Sequence, residues 1–255
     1  MLKARTLHIV TLCLIIALIL LNILFAVSFW WYVCVLVLWF LMMAYVSFNM
    51  KLNFFLKSFT GNPKMKAKKI AITFDDGPNP KYTPEVLKLL KAYNAKATFF
   101  CIGKHVESHP ELLKSIAQEG HQIGNHSFSH KTTIDFNSAN KWIEELEKTD
   151  EAIEAVVQMK PTCFRPPYGV TTPQLAKAIK KTGHTVVGWN LRSFDTVIKN
   201  PRWIVNKLIK GIQSGAIILL HDKQSNCIPV LECLLQHCNH ENYKLVTVNE
   251  LFNDV

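Results

Sequence analysis

Apolar residues follow different patterns in the two parts of the chain. Residues 6–50 contain no Asp, Glu, Lys or Arg, so their apolar character is continuous. Further along, short β-branched runs such as residues 70–74 alternate with longer segments such as 110–119, whose apolar side chains recur at helical spacing. The pattern predicts a membrane-associated N-terminal region followed by a globular α/β domain.

The globular part consists of alternating strand and helix patterns, without internal repeats. Strands are predicted at residues 70–74, 97–101, 122–124, 163–164, 186–189, 216–220 and 244–248, and helices at residues 84–93, 110–119, 138–157, 173–181, 201–210 and 227–238. About seven βα units in this length predict a small barrel with a parallel sheet.

The uncharged N-terminal segment is too long for a single membrane span. As helix it would reach about 67 Å, whereas a span needs about 20 residues. We therefore predict two spans, at residues 7–27 and 30–48, with aromatic residues at the turn (Phe29, Trp30, Trp31 and Tyr32). A signal peptide would have a shorter apolar core and a small-residue cleavage site, and tilt would not accommodate one helix of this length.

The net charge of +10 is concentrated beside these spans. Eight basic residues, which contribute +8, precede the first acidic residue, Asp75: Lys3, Arg5, Lys51, Lys57, Lys64, Lys66, Lys68 and Lys69. This placement suits a membrane bilayer as partner and favours no nucleic acid. We assign residues 1–50 to a transmembrane region, 51–67 to a basic juxtamembrane linker and 68–252 to the globular domain. Basic residues at both ends of a hairpin predict that both ends are cytoplasmic.

Acidic and histidine side chains follow two of the predicted strands. The first strand ends in Asp75-Asp76-Gly77, and His126 and His130 follow the third. On an extended backbone the two aspartates point in opposite directions, and histidines four apart share one face of a helical turn. One carboxylate and two imidazoles provide the three protein ligands of a catalytic zinc site, which leaves the other aspartate as a base. Each motif alone is also typical of an ordinary turn or a surface pair.

Three further segments carry polar groups near strand ends. Arg165-Pro166-Pro167-Tyr168-Gly169 predicts a rigid turn that presents Arg165 inward and a backbone N–H toward an oxyanion. His221 ends an apolar strand, and Asp195 lies near the end of another. Parallel α/β folds collect catalytic groups at such ends, which makes these residues candidates for one site.

With these residues assembled, the chain resembles the polysaccharide deacetylase family, the NodB homology domain of carbohydrate esterase family 4. Of the five ordered family motifs, TFDDG, H-[ST]-x-x-H and R-P-P-[YF]-G are intact, and L-x-L-H matches with Ile218 for its first leucine. The resemblance covers residues 68–252. It implies a distorted, incomplete (β/α)7-type barrel with the motifs at the C-terminal strand ends.

The resemblance implies a metal-dependent hydrolase that removes N-acetyl groups from amino sugars. Its substrate would be a polysaccharide or glycoconjugate: peptidoglycan-like, chitin-like, or a lipid-linked sugar. Asp76, His126 and His130 would bind one divalent metal ion, usually zinc, with cobalt, nickel or manganese as alternatives.

Five other residues acquire catalytic roles through the resemblance. Asp75 would be the general base acting on the attacking water, oriented by Arg165. The backbone N–H of Tyr168 would stabilise the oxyanion. His221 would protonate the leaving amine, and Asp195 would favour the imidazolium form of that histidine.

The fourth family motif, D-x-x-D-W, differs in this chain. Alignment on Trp189 and Asp195 puts Arg192 at the first aspartate and Thr196 at the tryptophan. An aromatic wall of the substrate groove is thereby lost and a guanidinium is gained. We hypothesise that Arg192 suits an anionic or lipid-phosphate-linked sugar.

Several alternatives stay open at the level of sequence. The motifs also fit hydrolysis of a formamide or an O-acetyl ester, and the domain could be a non-catalytic envelope scaffold that keeps the fold. Most relatives of the family act on cell-wall glycans outside the membrane, whereas the basic residues place the hairpin ends in the cytoplasm. Either the number of spans is wrong, or the substrate is a lipid-linked sugar of the inner leaflet.

Overall fold

The computed structural model describes residues 2–253. Its α-helices are α1 (Leu2–Leu24), α2 (Phe29–Ser47), α3 (Thr83–Ala92), α4 (Gly103–Ser108), α5 (Pro110–Gln118), α6 (Ala139–Val157), α7 (Pro173–Thr182), α8 (Pro201–Gly211), α9 (Cys227–His240) and α10 (Val248–Asn253). Its strands are β1 (Ser58–Phe59), β2 (Lys69–Gly77), β3 (Ala97–Cys101), β4 (Gln122–Asn125), β5 (Cys163–Phe164), β6 (Thr185–Val187), β7 (Leu191–Arg192), β8 (Ile217–His221) and β9 (Lys244–Leu245).

The strands form one curled, open parallel sheet. Their order is β1-β6-β5-β4-β3-β2-β8-β7, and β9 pairs with the start of β2. Neighbouring strands in this order are parallel, and within residues 2–253 no pairing joins the two end strands, β1 and β7. The predicted fold class, a distorted incomplete barrel, is confirmed.

Both faces of strand β2 are buried. Ile70, Ile72 and Phe74 pack in the main hydrophobic cluster, together with residues of α3, α5, α8 and α9. The alternate side chains Thr73 and Asp75 lie on the opposite face and contact the same buried arginine. The face directed away from the main cluster therefore carries polar chemistry at its C-terminal end.

The C-terminal end of the chain differs from the predicted strand at residues 244–248. Only Lys244 and Leu245 pair with β2, and α10 begins at Val248. Thr247 and Glu250 form a reciprocal capping box, in which each backbone N–H donates to the other side chain, at 2.9 Å and 3.2 Å. The cap starts a helix within an apolar run that alternation alone interprets as strand.

Residues of the predicted linker, 51–67, contribute to the sheet. Ser58 and Phe59 form β1, which pairs in parallel with β6. The Ser58 hydroxyl also donates to the Met50 carbonyl at 2.7 Å. The chain thus enters the sheet about ten residues after α2 ends.

Helices α1 and α2 form an N-terminal hairpin. By length and composition, Arg5–Leu24 and Phe29–Ser47 could each cross a membrane, although a signal sequence passes the same test. The end of α2 is attached to the domain, because the Thr171 N–H donates to the Ser47 carbonyl at 2.9 Å. Val46, just before it, is buried.

Candidate active site

Asp75 and Asp76 point toward the same site because β2 is irregular there. The pairing of β2 with β3 shifts register between Asp75 and Gly77, and Asp76 has φ = +72°. Asp75 Oδ2 lies 3.8 Å and Asp76 Oδ1 3.4 Å from His126 Nε2. The expectation that the two carboxylates point in opposite directions is therefore wrong, since it assumed an uninterrupted strand.

His126 and His130 are brought together by a loop rather than a helical turn. The loop follows β4, and two of its residues, Ser127 and His130, have positive φ values of 65° and 47°. The two imidazole centroids are 4.9 Å apart. The two rings lie close together, as predicted, but they are brought together by a loop and not by the helical turn on which the prediction was based.

Glu145 on α6 holds this loop. Its Oε2 atom accepts hydrogen bonds from the backbone N–H groups of Phe128 (3.0 Å) and Ser129 (2.7 Å). Its Oε1 atom accepts the Ser129 hydroxyl at 2.7 Å. Sequence reasoning missed this residue. The only signal in the sequence was weak, because Glu145 is one of many charged residues on this helix and differs only in its position beside the buried Leu146.

Asp76, His126 and His130 have the chemistry and spacing of a metal site. Their ligand atoms all lie within 4.8 Å of one another, and Asp76 Oδ1 is 3.4 Å from His126 Nε2 and 3.2 Å from His130 Nε2. Tetrahedral ligands at about 2.0–2.1 Å from zinc would be about 3.3–3.4 Å apart. The three residues therefore fit a small divalent cation.

The surroundings of the two histidines favour ligation through Nε2. His126 Nδ1 lies 2.7 Å from the Arg165 carbonyl, which can accept a hydrogen from it and thereby leave the Nε2 lone pair free. Burial, assisted by the nearby His126, lowers the pKa of His130 to about 4, so this ring is neutral at pH 7. The Lys223 ammonium contacts the second carboxylate oxygen of Asp76.

Arg165 is fully buried and fixes one oxygen of Asp75. One of its terminal nitrogens donates to Asp75 Oδ1 and to Thr73 Oγ1, both at 2.7 Å. The other nitrogens donate to the carbonyls of Val187 (3.2 Å) and Gly188 (2.8 Å). Because these partners lock the guanidinium, Asp75 presents its other oxygen, Oδ2, toward His126.

His221 lies across the strand pair from Asp75 and is bound to Asp195. Asp75 on β2 and His221 on β8 are register partners. His221 Nδ1 is 2.8 Å from Asp195 Oδ1, and its backbone N–H donates to Asp195 Oδ2 at 2.8 Å. Burial alone would lower the pKa of His221, but the hydrogen bond to Asp195 and the charges of Asp195, Asp75 and Asp76 raise it above its usual 6.5.

Tyr168 lies at the edge of the site, and Arg192 packs against two aromatic rings. Tyr168 has φ = +58°, and its ring centroid is 4.9 Å from that of His130. The Arg192 guanidinium lies 5.6 Å from the Trp189 ring centroid and 5.0 Å from that of Phe194. Phe194 thus provides an aromatic ring in the segment where the family tryptophan is replaced by Thr196.

Asp222 is a buried carboxylate that the sequence analysis did not single out. It is fully buried next to His221, and burial raises its pKa to about 7. It accepts the Thr83 hydroxyl, and a Cβ atom on Gly77 would lie 2.8 Å from its oxygens. The close approach explains why a glycine ends the Asp75-Asp76-Gly77 sequence.

A parallel half-barrel with these carboxylates and histidines at its strand ends is the architecture of the carbohydrate deacetylases. The family model described as polysaccharide deacetylase matches residues 62–187. The chain belongs to the polysaccharide deacetylase family, as its similarity to curated relatives and solved structures also shows.

Two relatives and one structure illustrate the similarity. A peptidoglycan-N-acetylglucosamine deacetylase of Bacillus cereus is 40% identical over 71% of this chain and 87% of its own length. The peptidoglycan-N-acetylglucosamine deacetylase PgdA of Listeria monocytogenes is 36% identical over 75% of this chain, which spans only 41% of that relative. The structure of peptidoglycan deacetylase PdaC from Bacillus subtilis has 33% identity and a TM-score of 0.69, covering 75% of this chain and 92% of that one.

Proposed function

We propose that this protein is a metal-dependent deacetylase that hydrolyses the N-acetyl group of an amino sugar in a glycan or glycolipid. The observation that carries the proposal is the convergence of three units in one site. They are the Asp76–His126–His130 cluster, the Asp75–Arg165 pair and the Asp195–His221 pair. The relatives named for peptidoglycan deacetylation support an acetylated amino sugar as substrate.

Asp76, His126 and His130 would hold the metal, for which their mixed carboxylate and imidazole set favours zinc. A bound metal of this kind supplies Lewis-acid polarisation of the acetamide carbonyl and lowers the pKa of water. The side chains that remain, Asp75 and His221, then carry the proton transfers.

The chain's own groups supply a base, an acid and an oxyanion donor. Asp75 Oδ2 accepts a proton from the attacking water while Arg165 holds Oδ1. The backbone N–H of Tyr168 donates to the oxygen that becomes negative. His221, held through Nδ1 by Asp195, gives the proton on Nε2 to the departing nitrogen. The C–N bond breaks, and the products are acetate and a free amino sugar.

Acetate release by the full-length chain tests this function. The protein would be assayed in detergent with acetylated chitooligosaccharides and peptidoglycan fragments, before and after chelation and with zinc, cobalt, nickel or manganese restored. We expect release that requires a metal. Release of formate or hydrolysis of acetate esters instead would reassign the acyl group, and a folded, metal-loaded protein inactive on every substrate would contradict the proposal.

Asp195→Asn should move the alkaline limb of the pH–rate profile to lower pH. His221 must be protonated to act as acid, so activity falls as pH rises through its pKa, which Asp195 holds above 6.5. Without that charge, burial lowers the pKa, and kcat/KM at neutral pH should fall roughly 10²-fold. Ser193→Ala, which removes a hydroxyl that donates to Asp195 Oδ1 and accepts from the Asp195 backbone N–H but keeps the carboxylate, should move the limb less. An unchanged limb in Asp195→Asn would show that His221 is not the acid.

Glu145→Ala should weaken metal binding by about 10–100-fold, the usual cost of losing a group that orients ligands. Glu145 holds the loop between the two histidines through three hydrogen bonds. Competition with a chelating dye gives the affinity, and the exposed Glu147→Ala on the same helix is the control. Equal affinities for the two variants would mean that the loop is ordered without Glu145.

We further propose that α1 and α2 both span the membrane and hold the domain at its surface. The support is their length and hydropathy, the exposure of their apolar side chains and the basic residues at each end. Retention of the intact chain in carbonate-washed membranes is the expected result. A mature protein lacking residues 1–24 would identify α1 as a cleaved signal sequence instead.

A further inference from the structure

An apolar groove of about 750 Å³ separates α2 from the loops around the candidate active site. On the α2 side it is lined by Trp39, Phe40, Met43, Ala44, Ser47 and Phe48, and on the domain side by Thr132, Asp135, Phe136, Tyr168, Val170 and Thr172. Nearly all of this lining is hydrocarbon or aromatic, which sets the groove apart from the polar site beside it.

Tyr168 joins the groove to the metal cluster, because it lines the groove and contacts His130. Its ring lines the groove and lies 4.9 Å from the imidazole of His130. Its hydroxyl lies 3.4 Å from the His130 carbonyl. A molecule that filled the groove would therefore contact Tyr168, the residue that separates the groove from His130.

The other end of the groove follows the predicted span. From Ser47 back to Trp39 the groove extends about 12 Å along the axis of α2, since the two residues are eight positions apart. This part of α2 carries no charge and would lie within the apolar layer of the membrane. The Thr171–Ser47 hydrogen bond fixes this wall of the groove to the domain.

Exposed aromatic residues surround the groove on both sides. Phe136 is 90% exposed, Phe48 71% and Phe40 64%, values that leave apolar rings uncovered at the membrane end of the domain. Contiguous exposed apolar surface of this kind marks a contact with membrane or ligand. Asp135 adds one polar group, and among the described residues its buried Oδ1 atom has no hydrogen-bond partner.

We propose that the substrate is an acetylated amino sugar carried on a lipid, whose hydrocarbon chain lies in this groove while the sugar reaches the Asp76–His126–His130 cluster. The inference rests on the proposed deacetylase function and membrane placement. An apolar groove that follows the proposed span and borders the site through Tyr168 suits a hydrocarbon chain, whereas a soluble glycan would need polar partners along its length.

The test compares two substrates with the same sugar in nanodiscs that hold the full-length chain. The probes are hexadecyl and methyl β-N-acetylglucosaminide, and kcat/KM is measured for each. Ala44→Trp fills the groove, whereas Leu41→Trp adds the same ring to the same helix at an exposed position outside the groove lining. We expect the wild-type hexadecyl-to-methyl ratio to exceed ten, to fall at least tenfold in Ala44→Trp and to be preserved in Leu41→Trp.

Partition of the hexadecyl probe into the bilayer affects all variants alike, so the difference between the two tryptophan variants decides. A wild-type ratio near one, or an equal change in both variants, would overturn the lipid-linked substrate. An equal loss on both probes in Ala44→Trp would do the same, because the hexadecyl-to-methyl ratio would then be unchanged although the groove is filled. Inactivity of the wild type on both probes would count against the deacetylase proposal itself.

Native mass spectrometry distinguishes failure of the groove proposal from failure of the deacetylase proposal, because it detects bound glycolipid without turnover. The wild type and Leu41→Trp should retain the hexadecyl probe, and Ala44→Trp should lose it. Equal retention by all three would overturn the groove as a binding site even if deacetylation were established.

Discussion

Asp75→Asn should lower kcat/KM by roughly 10²–10⁴-fold while the protein keeps its metal. The asparagine oxygen can still accept from Arg165, but an amide does not take a proton from water. Asp75 lies beside the ligand cluster without belonging to it, so metal stoichiometry should be unchanged. Acetate release measured together with metal content by plasma emission spectroscopy checks both parts.

Stability is the necessary control, because an uncharged amide in place of the Asp75 carboxylate would leave the buried Arg165 without its counter-charge. Breaking a buried ion pair costs about 3–5 kcal/mol, so the unfolding midpoint must be measured beside the rate. Thr73→Val removes another contact of the same guanidinium nitrogen and keeps the carboxylate. The Thr73→Val variant should be less stable than the wild type, but its activity should fall by less than tenfold. Equal losses in activity for the two variants would make the role of Asp75 structural.

His130→Ala should abolish stoichiometric metal binding and reduce activity by about 10³-fold or more. Loss of the metal forfeits several kcal/mol of transition-state stabilisation, at about 1.36 kcal/mol for each tenfold in rate. His130 is the cleaner ligand to remove, because His126 also contacts the Arg165 carbonyl and its loss would disturb that turn. The measurement is a metal titration followed by an assay at saturating metal.

His109→Ala, at the start of α5 and outside the metal cluster, is the matched control and should retain both metal and activity. Recovery of wild-type rates by His130→Ala in excess metal would indicate that Asp76 and His126 suffice. Retention of one tightly bound metal by the variant would place the metal elsewhere.

The sequence predicted the fold and predicted which polar residues gather in the candidate site, because both depend on short-range patterns. Apolar periodicity identified the strands, and strand β3 occurs at the predicted residues, Ala97–Cys101. Once the sheet is parallel, polar residues after separate strands must meet at one edge. Asp75, His126 and His221 meet there although they are far apart in the chain.

The structural features that were not predicted from the sequence depend on single residues and on contacts between distant segments. The direction of Asp76 follows from a one-residue register shift, which alternation does not encode. Glu145 holds a loop 16 and 17 residues before it through contacts that helical periodicity does not reveal. The groove between α2 and Tyr168 brings together segments more than 80 residues apart, and each segment alone is simply apolar or loop.

The pairing of β1 with β6 has a consequence for synthesis of the chain. Ser58 leaves the ribosome 128 residues before its partner Val186, so at about 5–20 residues per second it waits roughly 6–26 s. During that interval the hairpin of α1 and α2 is already complete and free to enter a bilayer. Because β1 is only two residues long, its unpaired backbone presents few N–H and C=O groups with which another nascent chain could pair. If α1 and α2 span the membrane as proposed, insertion can precede the pairing of β1 with β6, and the domain would complete its fold already attached to the membrane.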